Sequence, residues 1–280
     1  MIKGNFVLIG TKESGKTSFL RSIFSQNSAS IKFKICSFDP PNITTPYYQM
    51  CNFNFMYNSY VISNLNISDY DGSIFNECDS NNSVKERVRN DIYNADVMYI
   101  MLDGNYFMDG DVKSKCRNIK RNYTRFVTPY ISGYSAENDG KLPTTIFIIT
   151  KGKKVLEKNS KYELINILRK SFSSLFDYED TGYDEPCAVC IDSGADRYAV
   201  NIPFFIGIYY LFLMSSLNNK EKNTVKNLLE ENLRKYQYFI VSMDKKLSLH
   251  IGAPDRHTVK YPKNNIFTKL GAILKKFTRG

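Results

Sequence analysis

The chain has 280 residues, of which 42% are hydrophobic, and a formal net charge of +10. That length fits one large domain or one domain with an appendage, and the composition is that of an ordinary globular protein. Its six cysteines are scattered and no secretory signal precedes the first strand, which sets aside a secreted disulfide framework and points to a reducing, cytoplasmic setting.

The first apolar run, Phe6-Val7-Leu8-Ile9, predicts a buried strand. Residues 10–17 follow as Gly-Thr-Lys-Glu-Ser-Gly-Lys-Thr, a complete G-x-x-x-x-G-K-[ST] phosphate-binding loop. Behind it, Phe19, Leu20, Ile23 and Phe24 recur at helical spacing. Strand, glycine-rich loop and helix start together make the motif specific. Gly10 and Gly15 let backbone N–H groups turn inward onto a polyphosphate. Thr11, Lys12, Glu13, Ser14 and Ser18 complete the stretch expected to face it. Lys16 reaches the outer phosphates, the Thr17 hydroxyl is placed to ligate Mg²⁺, and the helix from Lys16 adds its positive end.

Further elements follow in order. Residues 25–46 read as a polar stretch ending in Thr44-Thr45-Pro46. Tyr48 to Met56 and Tyr60 to Ile67 read as a strand hairpin turning at Tyr57-Asn58-Ser59. Ser83 to Glu86 and Ser160 to Glu163 are capping boxes that open helices. Runs from Val97 to Leu102, Thr145 to Thr150 and Ala188 to Ile191 predict buried strands. Between them, residues 112–131 predict a helix whose exposed side is basic, with Lys113, Lys115, Arg117, Lys120, Arg121 and Arg125. The alternation implies an α/β domain of three layers, a mostly parallel sheet with helices on both faces, over residues 1–217. Cys187 and Cys190 match C-x-x-C, but in a strand they face opposite sides, and no second cysteine pair or His cluster completes a zinc site. Pro203 to Leu217 is very apolar yet shorter than the roughly 20 residues a spanning helix needs, so it reads as a buried helix.

The strand from Tyr60 runs into Asp69-Tyr70-Asp71-Gly72, a D-x-x-G. Asp69 at a strand end beside the loop can hold Mg²⁺, and the Gly72 N–H can meet a γ-phosphate. With these two motifs in this order, residues 5–217 resemble the Ras-like branch of the P-loop GTPases, with flanking text most similar to the bacterial double-GTPase type. The resemblance implies a nucleotide-dependent switch that binds GTP or GDP with Mg²⁺. It gives Thr44 or Thr45, which precede Asp69 at a similar distance, the role of closing on the metal and the γ-phosphate. It gives Lys151 the role of packing on the base, and it places a final base-contacting loop at Asp192-Ser193.

Two departures qualify that picture. The resembled family ends the strand after its third helix in [NT]-K-x-D, whose aspartate reads the guanine edge. Here the residues are Thr150-Lys151-Gly152-Lys153, so a lysine stands at the aspartate position and ATP stays open as ligand. The family also carries a glutamine after D-x-x-G to orient the attacking water. Here Ser73-Ile74-Phe75-Asn76 follow, which predicts slow intrinsic hydrolysis. An activator could supply an arginine in trans, and Arg87 or Arg89 are the candidates in cis. The alternative function is an ATP-binding or non-hydrolysing scaffold.

Residues 218–280 hold 14 Lys/Arg against 5 Asp/Glu, where residues 1–217 hold 24 against 23, so the charge excess marks a separate C-terminal extension. Val225, Leu228, Leu229, Leu233 and Tyr236 suit one face of a helix. Ile266, Phe267, Leu270, Ile273, Leu274 and Phe277 gather on one side of a second, with Lys269, Lys275, Lys276 and Arg279 opposite. Residues 264–280 are open between packing on their own domain, filling a partner's groove and lying on an anionic membrane. The tail carries no recognisable nucleic-acid motif, which argues against that partner.

Overall fold

The computed structural model describes residues 2–25, 33–37, 48–57, 60–75, 82–124, 127–129, 143–176, 186–192, 199–214 and 236–243, with residues 223, 226, 227, 229–231, 233 and 234 besides. Eight strands form a single sheet in the order β2-β3-β4-β1-β5-β6-β7-β8. They are β1 (Ile2–Ile9), β2 (Phe33–Ser37), β3 (Tyr48–Tyr57), β4 (Tyr60–Tyr70), β5 (Val97–Leu102), β6 (Thr144–Ile149), β7 (Cys187–Cys190) and β8 (Ile240–Ser242). β4, β1, β5, β6 and β7 run parallel, while β2, β3 and β8 join antiparallel at the two sides. The parallel centre is apolar without alternation, as strands covered on both faces must be. Val97 to Leu102 are all buried.

Alternate residues of β1 feed two separate cores. Phe6 and Leu8 face α1 (Lys16–Ser25), meeting Phe19, Leu20 and Ile23. Val7 and Ile9 face the other side, with Val88 and Ile92 of α2 (Asn82–Tyr93), Ile119 of α3 (Val112–Ile119) and Leu164, Ile167 and Leu168 of a later helix. Two helices, α4 (Gly152–Lys158) and α5 (Lys161–Ser171), follow β6, and the short α6 (Ser173–Phe176) closes that run. The Ser160 hydroxyl accepts from the Glu163 N–H at 3.1 Å, so the second capping box forms as its spacing requires. Finally α7 (Ile202–Met214) is the apolar segment, buried from Ile202 to Phe212 on the α1 side of the sheet. The three-layer α/β architecture is thus the observed one. Among the described residues no helix is long and apolar enough to cross a membrane.

Several expectations are revised. The polar stretch 25–46 contains a strand, β2, whose Phe33-Lys34-Ile35 alternation is the signal that a composition reading passes over. Helix 112–131 is α-helical over Val112–Ile119, continues as a π-helical turn, Lys120–Thr124, and is α-helical again at residues 127–129. Lys115 is not on a solvated basic face. It is 4% exposed, and its ammonium donates to Asn159 Oδ1 at 2.6 Å and Glu163 Oε1 at 3.0 Å, tying α3 to α4 and α5. The extension expected from residue 218 shares the sheet and core as far as Met243. Leu229 and Leu233 are fully buried, Tyr209 donates to Glu230 at 2.9 Å, and β8 pairs with β7. Residues 264–280 lie outside the described residues. Cys187 and Cys190 fall in opposite cores, and no metal-holding cluster of His, Cys, Asp or Glu occurs among the described residues.

Candidate functional site: a phosphate loop and a second loop beside it

The loop between β1 and α1 wraps around its own lysine. Lys16 is 6% exposed, and its ammonium donates to the carbonyls of Gly10 at 2.7 Å and Thr11 at 3.0 Å. Burial pulls its pKa below the ordinary value of 10.5, while the charges of Asp69 and Asp71 pull it back up. The ammonium is held inside the loop, with Asp69 and Asp71 in electrostatic range. Gly10 has no room for a side chain, since a Cβ there would stand 2.7 Å from Ser14 Oγ and 2.9 Å from the Met101 carbonyl. Gly15 sits at φ +96°, where an L side chain is strained. The Ser14 hydroxyl is buried in the loop with no hydrogen-bond partner among the described residues. A buried hydroxyl without a partner is costly, and a ligand oxygen in the loop would satisfy it.

β4 delivers the second motif to this loop. Asp69 pairs in register with Leu8 of β1, at the strand end that enters the loop. It is fully buried, and its Oδ2 accepts from Gln49 Nε2 at 3.1 Å. Gln49 was not foreseen as a site residue. A hairpin counted back from Tyr57↔Tyr60 would set it against Ser68, but a bulge at Phe55/Met56 moves the register by one residue and sets it against Asp69. Gly72 opens a 3₁₀ turn, Gly72–Phe75, and lies backbone to backbone on the phosphate loop. A Cβ there would stand 2.0 Å from Lys12 N and 2.2 Å from Thr11 C. Only glycine permits that approach. Ile74, in the stretch where the resembled family has its glutamine, is buried in the core.

The donor set fits a magnesium–polyphosphate ligand. A hydroxyl at the start of α1, a buried carboxylate at the adjoining strand end and an ammonium in the loop are the hard-oxygen and cationic groups such a ligand requires. Thr17 and Asp69 are the groups that would hold the ion. Of the other expected positions, Thr44, Thr45 and Ser193 lie outside the described residues. Arg87 stacks its guanidinium 3.6 Å over the Tyr48 ring. Tyr48 in turn packs on Tyr70, whose hydroxyl donates to Asp91 of α2.

The second loop follows β6. Thr150, Lys151 and Gly152 come directly off the strand, and Lys151 is the N-cap of α4 at φ 56° and ψ 37°. Among the described residues, the non-glycine positions with positive φ are Glu13 in the phosphate loop and Lys151 here. Such conformations are uncommon and concentrate at functional sites. The Lys151 ammonium donates to Asp103 Oδ1 at 2.9 Å, yet the side chain stays 43% exposed and lines an open groove of about 580 Å³ with Asn105 and Lys154. Lys153 is exposed in the first turn of α4.

The second loop is fastened to the turn after β5. The Gly104 N–H donates to Thr150 Oγ1 at 3.1 Å, and a Cβ on Gly104 would stand 2.0 Å from the Thr150 carbonyl. The Asp103 N–H donates to Tyr123 Oη at 2.8 Å. Burial pushes the Tyr123 hydroxyl up to about 12, so it stays protonated. Tyr123 and Asp103 lay outside the sequence reading, since the residues they join are distant along the chain.

No protein-family model matches the chain, and no curated protein matches its sequence. Solved structures of similar shape include the small GTPase Arl6 (BBS3) of Trypanosoma brucei with the bound nucleotide analogue GppNp. It is 13% identical at a TM-score of 0.43 over 76% of this chain and 99% of that one. A variant of Era from Aquifex aeolicus bound to GDP and AlF4⁻ is 16% identical at a TM-score of 0.42, over 75% of this chain and 56% of Era. The G domain of the T. maritima FeoB iron transporter is 14% identical at a TM-score of 0.36, over 68% of this chain and 88% of that domain. At these distances the likenesses leave open what this chain binds, and that question rests on its own residues.

Proposed function

We propose that the chain is a nucleoside-triphosphate-binding switch that takes GTP or GDP with Mg²⁺ and hydrolyses GTP slowly. The observation that carries this reading is the phosphate loop itself. Lys16 is buried in it, Asp69 stands at the adjoining strand end, Gly72 is packed on its backbone, and the Ser14 hydroxyl lacks a partner among the described residues. Lys16 neutralises charge on the outer phosphates, while Thr17 and Asp69 hold the metal. Thr44 or Thr45 and the Gly72 N–H sense the γ-phosphate, and hydrolysis releases those contacts. Lys151 and the loop at Asp192-Ser193 face the base. Slow turnover follows from the absence of a glutamine after Gly72, and a protein activator is the expected partner. The setting is cytoplasmic. Residues 264–280 would add attachment to a partner or an anionic membrane, tested by pelleting with anionic vesicles with and without that segment.

A second reading has its own support. Lys153 stands where a guanine-reading aspartate is expected, which favours an ATP-binding or non-hydrolysing scaffold. Calorimetric titration with GTP, GDP and ATP in Mg²⁺, followed by single-turnover hydrolysis, separates the two. Tight GTP binding with slow release of phosphate supports the switch. Preference for ATP, or binding without any turnover, replaces it with the scaffold.

A further inference from the structure

The geometry points to Gln49 as a positioning residue that orients the Asp69 carboxylate for a divalent cation, a role that rests on the magnesium–nucleotide reading of this site. Gln49 and Asp69 stand directly opposite each other across the antiparallel pair β3 and β4, and Gln49 Nε2 donates to Asp69 Oδ2 at 3.1 Å. Facing residues of such a pair share one face of the sheet, close enough to bond. Gln49 continues the row Cys51, Phe53 and Phe55 of β3, and Asp69 continues the row Leu65 and Ile67 of β4, in the core that α1 closes. Each apolar row therefore ends in a polar side chain where the phosphate loop begins.

The pairing is held from both faces. On the opposite face, Tyr48 is set against Tyr70 with ring centroids 5.1 Å apart, and the Arg87 guanidinium lies 3.6 Å over the Tyr48 ring. The bulge at Phe55/Met56 phases the pair, since the register of the hairpin end would set Gln49 against Ser68 and Asp69 against Tyr48. Bulges recur beside functional sites, where they re-aim a side chain. The chemistry of the contact suits a cation site. Asp69 is fully buried, and a buried carboxylate needs hydrogen bonds to stay ionised. A primary amide donates one without adding charge. It fixes the turn of the carboxylate and leaves its negative charge to a cation. A lysine or arginine in its place would neutralise that charge, and an apolar residue would remove the restraint. Groups that hydrogen-bond a metal-holding carboxylate tune its affinity for the ion.

Gln49→Met keeps an unbranched side chain of similar length and removes the amide. Nucleotide affinity should be titrated in Mg²⁺ and in EDTA for the wild type and for this variant. The gain in affinity that Mg²⁺ brings should shrink about tenfold in Gln49→Met, while affinity in EDTA holds, which a merely structural role would not produce. In the ligand-free protein, Gln49→Met and Asp69→Ala should be non-additive in denaturant unfolding, because the two side chains share one interaction. Additive effects overturn the contact whether or not any nucleotide binds. Equal losses in Mg²⁺ and in EDTA, or no loss in either, overturn the positioning role and leave the nucleotide reading standing. A wild type that binds no nucleotide, or binds it no better with Mg²⁺ than with EDTA, removes the metal reading of Asp69 and the role of Gln49 with it.

Discussion

The two halves of the candidate site are built differently. The phosphate half is local. Eight consecutive residues make the loop, and its chemistry comes from backbone N–H groups, two glycines and one lysine. Its partners Asp69 and Gly72 arrive on a strand hydrogen-bonded to the strand that begins the loop. The proposed base half is assembled from Asp103 after β5, Thr150 and Lys151 after β6, and Tyr123 from a π turn. The eight-residue loop motif is complete, while the proposed base half has a lysine at 153. Phosphate recognition by backbone tolerates drift elsewhere, whereas base recognition depends on individual side chains that a single substitution replaces.

The largest break in this contrast should come from Lys16→Ala. Removing a charged donor to phosphate costs roughly 1.5–3 kcal/mol per hydrogen bond, so triphosphate affinity should fall on the order of 100-fold or more by titration. Tripolyphosphate should suffer equally, since both ligands would meet Lys16 through their phosphates.

Gly72→Ala and Gly104→Ala sharpen the comparison. Each Cβ would meet backbone at 2.0 Å, so each should lower stability by about 2–3 kcal/mol in denaturant unfolding. They should differ in binding. Gly72→Ala should weaken tripolyphosphate and nucleotide alike, whereas Gly104→Ala should weaken nucleotide alone. A matching pattern in both variants would show that the halves are not separable.

Lys153→Asp should leave tripolyphosphate binding unchanged and raise the GTP-over-ATP affinity ratio about tenfold, by restoring a carboxylate to a guanine edge. No change in that ratio would place the base away from α4.

The smallest effect is a pH dependence. Burial lowers the Lys16 pKa below 10.5 in the free protein, while an anionic ligand favours the charged form. Binding should therefore take up a fraction of a proton, and affinity should fall as pH rises through the lowered value. For the free protein the sign reverses. Between the lowered pKa and 10.5 the unfolded chain binds more protons, so stability from this group rises with pH. Calorimetry in two buffers of different ionisation enthalpy checks the uptake.

This division also explains what could be read from the chain. The phosphate loop, the central strands and the buried α7 were legible because each is a contiguous pattern with one period. Asp69 and Gly72 were legible because a hairpin puts them at a known strand end. Gln49 was not, because a one-residue bulge changes which residue faces Asp69. Lys115 read as solvated because its partners Asn159 and Glu163 lie on other helices. Tyr123 gave no signal, since its partner, the Asp103 amide, belongs to a separate element and a π turn has no composition of its own. The sheet's continuation to β8 was hidden by the charge contrast at residue 218, which reports on solvent-facing residues and is silent about buried Leu229 and Leu233.

The most direct test of a working phosphate loop is to purify the protein, denature it and identify released nucleotide by ion-pair chromatography, with Lys16→Ala beside it. The account predicts guanine nucleotide from the wild type, or its tight uptake with Mg²⁺ when added, and neither from Lys16→Ala. Adenine nucleotide would contradict the guanine reading while keeping the loop. No nucleotide, with no binding of either triphosphate, would contradict the central claim.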